Sequence, residues 1–171
     1  LYQDYFRGYF RIDGAAGGSI YQVGESSVKV GSERWYHVAL VRNGNNLYLF
    51  QDGKLIDTQD VTGQSVYDNT TDDLYIGSGH AGTVNNTNGF ISNLRVIKGT
   101  ALYTSDFTPP TRELTNVTNT KLLCCQSNTS AIAAAVSPGT ITANGNVAAT
   151  NFNPFTTDIN AVRGQESGYA T

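Results

Sequence analysis

Arg34-Trp35-Tyr36-His37-Val38-Ala39-Leu40-Val41-Arg42, then Asn43-Gly44-Asn45-Asn46, then Leu47-Tyr48-Leu49-Phe50-Gln51, is the stretch that decides the fold. The first nine residues are rich in β-branched and aromatic side chains. Their alternation places Trp35, His37, Ala39 and Val41 on one face of a strand and Tyr36, Val38 and Leu40 on the other. The Asn and Gly residues that follow supply turn chemistry, and the second apolar run returns as the partner strand of a hairpin. Asp52-Gly53 turns the chain again before Lys54-Leu55-Ile56-Asp57, which makes a β-meander.

Outward from this meander the pattern repeats in shorter pieces. Tyr5 to Ile12, Ser19 to Val23 and Ser27 to Val30 read as strands separated by Gly14, Gly17, Gly18 and Gly24. Downstream, Asp73 to Gly77 reads as a short buried strand, and Ser78 to Asn88 as a polar loop. Gly89 to Ile97 reads as a second long strand ended by Lys98-Gly99-Thr100. Ala101-Leu102-Tyr103 is expected to form one helical or irregular turn. Phe107-Thr108-Pro109-Pro110 must leave the ladder because proline has no N–H to give. Lys121 to Cys125 then closes the set, and this density of turns points to a sandwich or barrel rather than βαβ units.

Composition agrees. The 171 residues include 18 glycines, 39% are hydrophobic and only 15% are charged, which suits many short strands around one core. A net charge of -3 and a pI near 5.2 leave no basic footprint for a phosphate backbone, so nucleic acid is not an expected partner. No apolar run approaches the roughly 20 residues of a bilayer span, so membrane insertion is not expected either. The chain opens on Leu1 and contains no methionine, which gives the expectation of a piece of a longer polypeptide. Cys124 and Cys125 are adjacent on an apolar run, where strand geometry would send their side chains to opposite faces; they read as free thiols, in keeping with synthesis in a reducing cytoplasm. From Ser127 to Asn146 the chain becomes rich in Ala, Ser, Thr, Gly and Asn, and with Asn151-Phe152-Asn153-Pro154-Phe155 as its one aromatic cluster it cannot build a core alone. It is expected to pack against the sandwich, add an edge strand or link to another domain. The domain expectation is therefore a sandwich over 1–126, N-terminally incomplete, and a polar extension or linker over 127–171.

The order of Trp35-Tyr36-His37-Val38-Ala39, Leu47-Tyr48-Leu49-Phe50 with Asp52-Gly53-Lys54, Leu74-Tyr75-Ile76-Gly77 and Gly89-Phe90-Ile91-Ser92-Asn93-Leu94-Arg95-Val96 resembles the laminin G-like, concanavalin A-like lectin/glucanase superfamily over about Gly18 to Gln126. The resemblance implies an all-β, two-sheet antiparallel jelly-roll sandwich. The continuation through Ala101-Leu102-Tyr103, Phe107-Thr108-Pro109-Pro110 and the polar tail is similar to the version of the domain found in virion proteins of tailed bacteriophages. That implies a non-enzymatic structural or adhesion module of a tail fibre or surface appendage, made in the host cytoplasm and carried on the virion surface. Its implied partners are other virion subunits, a homo-oligomer of the trimeric kind, and a host-surface glycan.

Glucanases of the superfamily need two carboxylates about 5–5.5 Å apart if retaining. Glu25, Glu33, Glu113 and Glu166 are isolated, and Asp72 and Asp73 are neighbours that face opposite ways in an extended chain, so no catalytic residue is assigned and a degenerate hydrolase ranks last. His37 and His80 lack a nucleophile and orienting acid in any recognisable motif. A carbohydrate-binding role ranks second. Its candidate residues are Tyr67, whose ring could cover a pyranose face, and Asn69 and Asn85, whose amides could bond hydroxyls. No cofactor is expected apart from calcium, for which related sandwiches use rim oxygens. Asp52, Asp72 and Asp73 are the candidate ligands.

Overall fold

The computed structural model describes residues 5–11, 20–24, 28–66, 73–79 and 86–155. Tyr67, Asn69, Asp72, His80 and Asn85 lie outside the described residues. The described residues form eight strands: β1 (Gly8–Arg11), β2 (Ile20–Val23), β3 (Val38–Asn43), β4 (Asn46–Gln51), β5 (Lys54–Asp60), β6 (Leu94–Ile97), β7 (Thr120–Cys124) and β8 (Ala134–Val136). Every pairing is antiparallel, and the described residues contain no helix, so the fold is all-β as the alternation required. The chain divides into two compact units, one of residues 1–74 with 99–109 and one of 75–98 with 110–171.

In the first unit β3, β4 and β5 form the expected meander, with β4 in the centre. Asn43 pairs with Asn46, so the hairpin turn is the two residues Gly44-Asn45, and Gly44 takes φ +57° at the first of them. The second turn is Asp52-Gly53, with φ +51° and +78°, the doubly left-handed form that matches the right-handed twist of the flanking strands. Leu47 and Leu49 point to one face of β4 and are 2% exposed, whereas Phe50 points to the other and is fully buried. Each such side chain contributes about 2 kcal/mol by burial.

The β1–β2 ribbon covers the Leu47–Leu49 face. Gly8 and Phe10 alternate inward with Tyr9 and Arg11 outward, and Phe10, Val23, Leu47, Leu49 and Val61 make one core, flanked by Phe6 and Tyr21. Polar contacts fix the ribbon's position, since the Gly24 N–H donates to Asp57 Oδ2 at 2.8 Å and the Arg42 guanidinium lies 4.9 Å from the Phe10 ring.

In the second unit β7 lies between β6 and β8, and its run Leu122, Leu123 and Cys124 is buried on both faces. Asn93 organises the start of β6. Its N–H donates to the Cys125 carbonyl at 2.9 Å, while its Oδ1 accepts the Leu114 N–H and the Gln126 amide, each at 2.9 Å. The Asn-rich tail therefore contributes an edge strand, β8, one of the outcomes its composition allowed.

Several strand expectations need correction. Asp73 to Gly77 is irregular, with Leu74 69% exposed; the apolar alternation is there, but among the described residues no strand pairs with it. Val28–Val30 is likewise not a strand. β3 begins at Val38 rather than Arg34, because the His37 N–H is taken by the Asp52 side chain instead of a ladder carbonyl. β6 begins at Leu94 rather than Gly89, because Asn93 adopts φ +55° and breaks the extended run.

The two glycine turns separate backbone strain from packing. At Gly44 an added Cβ would meet nothing within 4 Å, whereas at Gly53 it would collide with the Phe107 carbonyl oxygen and approach Pro109. Gly44→Ala should cost about 1 kcal/mol, the left-handed penalty alone, and Gly53→Ala clearly more. Urea denaturation of both variants reads the difference, and equal costs would refute the close approach at Gly53.

Candidate functional site

The polar and aromatic groups of the first unit gather where the Asp52-Gly53 turn meets residues 34–37 and the returning segment 99–109. That segment is held by three bonds: the Phe107 N–H donates to the Gly53 carbonyl, the Leu55 N–H to Asp106 Oδ1 and the Lys54 ammonium to Asp106 Oδ2, each at 2.9 Å. The Tyr103 and Phe107 rings stack at 3.6 Å and 7°. Phe107 meets Phe50 edge-on at 5.4 Å and His37 at 5.4 Å. His37 is thus a packed aromatic edge in this cluster.

Asp52 is a turn residue with both carboxylate oxygens engaged. Oδ1 accepts the His37 N–H at 2.9 Å and Oδ2 meets the Arg34 guanidinium at 2.5 Å, while the Asp52 N–H donates to the His37 carbonyl at 2.8 Å. Arg34 also lies 4.2 Å from the Tyr36 ring, so one guanidinium serves an ion pair and an aromatic face together. The pair is exposed on both sides, which places its net worth at about 0–1 kcal/mol. The shared acceptor for a backbone N–H matters more.

Asp57, Asp60 and Asp106 behave alike. Asp57 accepts the Gly24 and Thr58 N–H groups, and Asp60 accepts the Thr62 N–H at 2.8 Å and its hydroxyl at 2.6 Å. The Thr62 hydroxyl and N–H hold the Asp60 carboxyl below the usual carboxylate range. For Asp106 the Leu55 N–H is the main cause of the same lowering, followed by Lys54. An acid lowered in this way is ionised at neutral pH and is not a proton donor.

Of the six residues singled out from sequence, the structure places two. Asp52 is committed to Arg34 and His37, and Asp73 is exposed on an irregular segment. Tyr67, Asn69, Asn85 and Asp72 lie outside the described residues. Among the described residues no group of three or more His, Cys, Asp or Glu side chains converges as a metal site. Sequence reasoning missed Lys54, Tyr103, Asp106 and Phe107 as parts of this constellation. Its only signal was the departure of Phe107-Thr108-Pro109-Pro110 from the ladder, which does not say where that segment docks.

A family model described as the concanavalin A-like lectin/glucanases superfamily matches residues 2–105, more than half of the chain. No curated protein and no solved structure matches.

The lowered acids set a pH dependence. A carboxyl whose folded pKa lies below its unfolded value of about 3.9 stabilises the fold above that pH, and the contribution disappears as pH falls through the folded value. The melting temperature should hold steady from pH 7 to 5 on this account and fall below about pH 4. Asp106→Asn should flatten part of that acid-side fall while leaving the neutral plateau's shape unchanged, as followed by circular dichroism.

Proposed function

Because the chain belongs to the concanavalin A-like lectin/glucanases superfamily, we propose that it works as a non-enzymatic structural and adhesion module on that scaffold. The virion of a tailed bacteriophage is the setting this reading assigns, in a tail fibre or surface appendage. The observation that carries the non-enzymatic part is the use of the acids: Asp52, Asp57, Asp60 and Asp106 each accept a backbone N–H, so each carboxylate is spent on fixing the chain. Glycoside hydrolysis needs the opposite arrangement, one carboxyl with a raised pKa facing a second across the sugar bond.

The virion setting rests on the sequence likeness of Ala101-Leu102-Tyr103, Phe107-Thr108-Pro109-Pro110 and the polar tail to phage appendage domains. A module of this kind acts by repetition, so its partners are other virion subunits, in a homo-oligomer of trimeric type with closed symmetry. Adhesion to a host-surface glycan is the accompanying lectin-like reading. It rests on the family, whose description includes lectins, and on Tyr67, Asn69 and Asn85, the ring and amides the sequence offers to a pyranose face and its hydroxyls.

Two measurements test the proposal. Mass spectrometry of purified, disassembled virions from the phage that encodes the chain should find this polypeptide in multiple copies, and its absence would overturn the virion role. Incubation with a panel of oligosaccharides should release no reducing sugar. Release that Asp52→Asn or Asp106→Asn abolished without unfolding the protein would overturn the non-enzymatic reading.

A further inference from the structure

The end of β7 holds a feature that strand geometry alone would not give. Adjacent residues of a strand point to opposite faces, yet the Cys124 and Cys125 sulfurs are 3.6 Å apart. The cause is the backbone: β7 ends at Cys124, and Cys125 takes φ +60°, which swings its side chain back to its neighbour's side. The Asn93 N–H on the Cys125 carbonyl holds that conformation, and pairing of Cys124 with Leu94 on β6 and Ala134 on β8 fixes the other partner. Both thiols are free, with Cys124 buried and Cys125 half-buried.

The spacing selects among the fates open to two thiols. A disulfide would need the sulfurs to close to about 2.05 Å across α-carbons only about 3.8 Å apart, shorter than the roughly 4.4–6.8 Å that disulfides span. Two sulfurs each about 2.3 Å from one centre, in contrast, lie about 3.3 Å apart at the near-right angles of a three-coordinate pyramidal centre and about 3.8 Å apart at the tetrahedral angle, a range that brackets the separation present. A linear two-coordinate ion would demand a wider spacing. No third His, Cys, Asp or Glu joins the pair among the described residues, so a metal wanting three or four protein ligands is not served. A centre completed by two sulfurs and its own substituent is.

We propose that Cys124 and Cys125 form a bidentate dithiol site for thiophilic trivalent arsenic compounds that carry one organic substituent. Two arsenic–sulfur bonds form as the two S–H bonds break. The arsenic-bound oxygen leaves as water with both protons, and neither arsenic nor sulfur changes oxidation state. Burial, and then the neighbouring Cys125, push the Cys124 thiol up to about 12, so at neutral pH this sulfur is met as a thiol, and an arsenic oxide carries away its proton. Ala134, the cross-strand neighbour of Cys124, is exposed and presents only a methyl group on that flank.

The probe is phenylarsine oxide, added to the folded chain after reduction and removal of the reductant, with the product read by intact-mass spectrometry. One phenylarsenic group should attach with loss of one water. It should survive an excess of the monothiol 2-mercaptoethanol and leave with 2,3-dimercaptopropanol, because a chelate releases about 100-fold or more slowly than a single bond. Cys125→Ser and Cys124→Ala should each lose that retention. Cys125→Ser lies at the half-buried position, and its unchanged melting curve would show that lost retention is not lost folding. No adduct on the folded wild-type chain, or one as labile to the monothiol as that of Cys125→Ser, would overturn the proposal.

Discussion

The contact between Phe50 and the rings of the 103–107 segment is the interaction on which the first unit depends. Phe50 is the fully buried aromatic of the central strand, on the face opposite Leu47 and Leu49. The β1–β2 ribbon covers one face of the meander, and without Phe107 and Tyr103 the other would leave a large apolar ring against water at the hairpin end. The polar groups around it follow from that docking. Gly53 must lack a side chain because the Phe107 carbonyl lies against it, and Asp106 is carried to where it can take the Leu55 N–H and the Lys54 charge.

Much of the charge in this unit is thereby used locally. Asp52 at its turn, Asp60 at the end of β5 and Asp106 on the returning segment accept backbone N–H groups, as does Asp57 within β5 for the Gly24 N–H just past the end of β2, and there they do the work that carbonyls do inside a sheet. Such acids stay ionised and hold the chain's irregular points.

The parts legible in the sequence were those whose signals are local. Asn43-Gly44-Asn45-Asn46 and Asp52-Gly53 name their own turns, so the meander followed directly, and the apolar run within Lys121 to Cys125 announced a closing strand, present as β7. What depends on a distant partner was hidden. Leu74 and Ile76 alternate as a buried strand would, but among the described residues no strand pairs with them. Asp52 looked like a rim ligand because nothing nearby in sequence shows that Arg34 and the His37 N–H will occupy it. The alternation rule also separated Cys124 from Cys125, since it assumes an extended backbone that the φ of +60° at Cys125 abandons.

Segment 99–109 packs as an integral part of the first unit rather than as a loop passing over it. Native-state hydrogen exchange of the intact chain measures this most directly. The Phe107 N–H, bonded to Gly53, and the Leu55 N–H, bonded to Asp106, should open together with the amides of Leu47 and Leu49, as one cooperative unit. Exchange at Phe107 and Leu55 orders of magnitude faster than in β4 would contradict it.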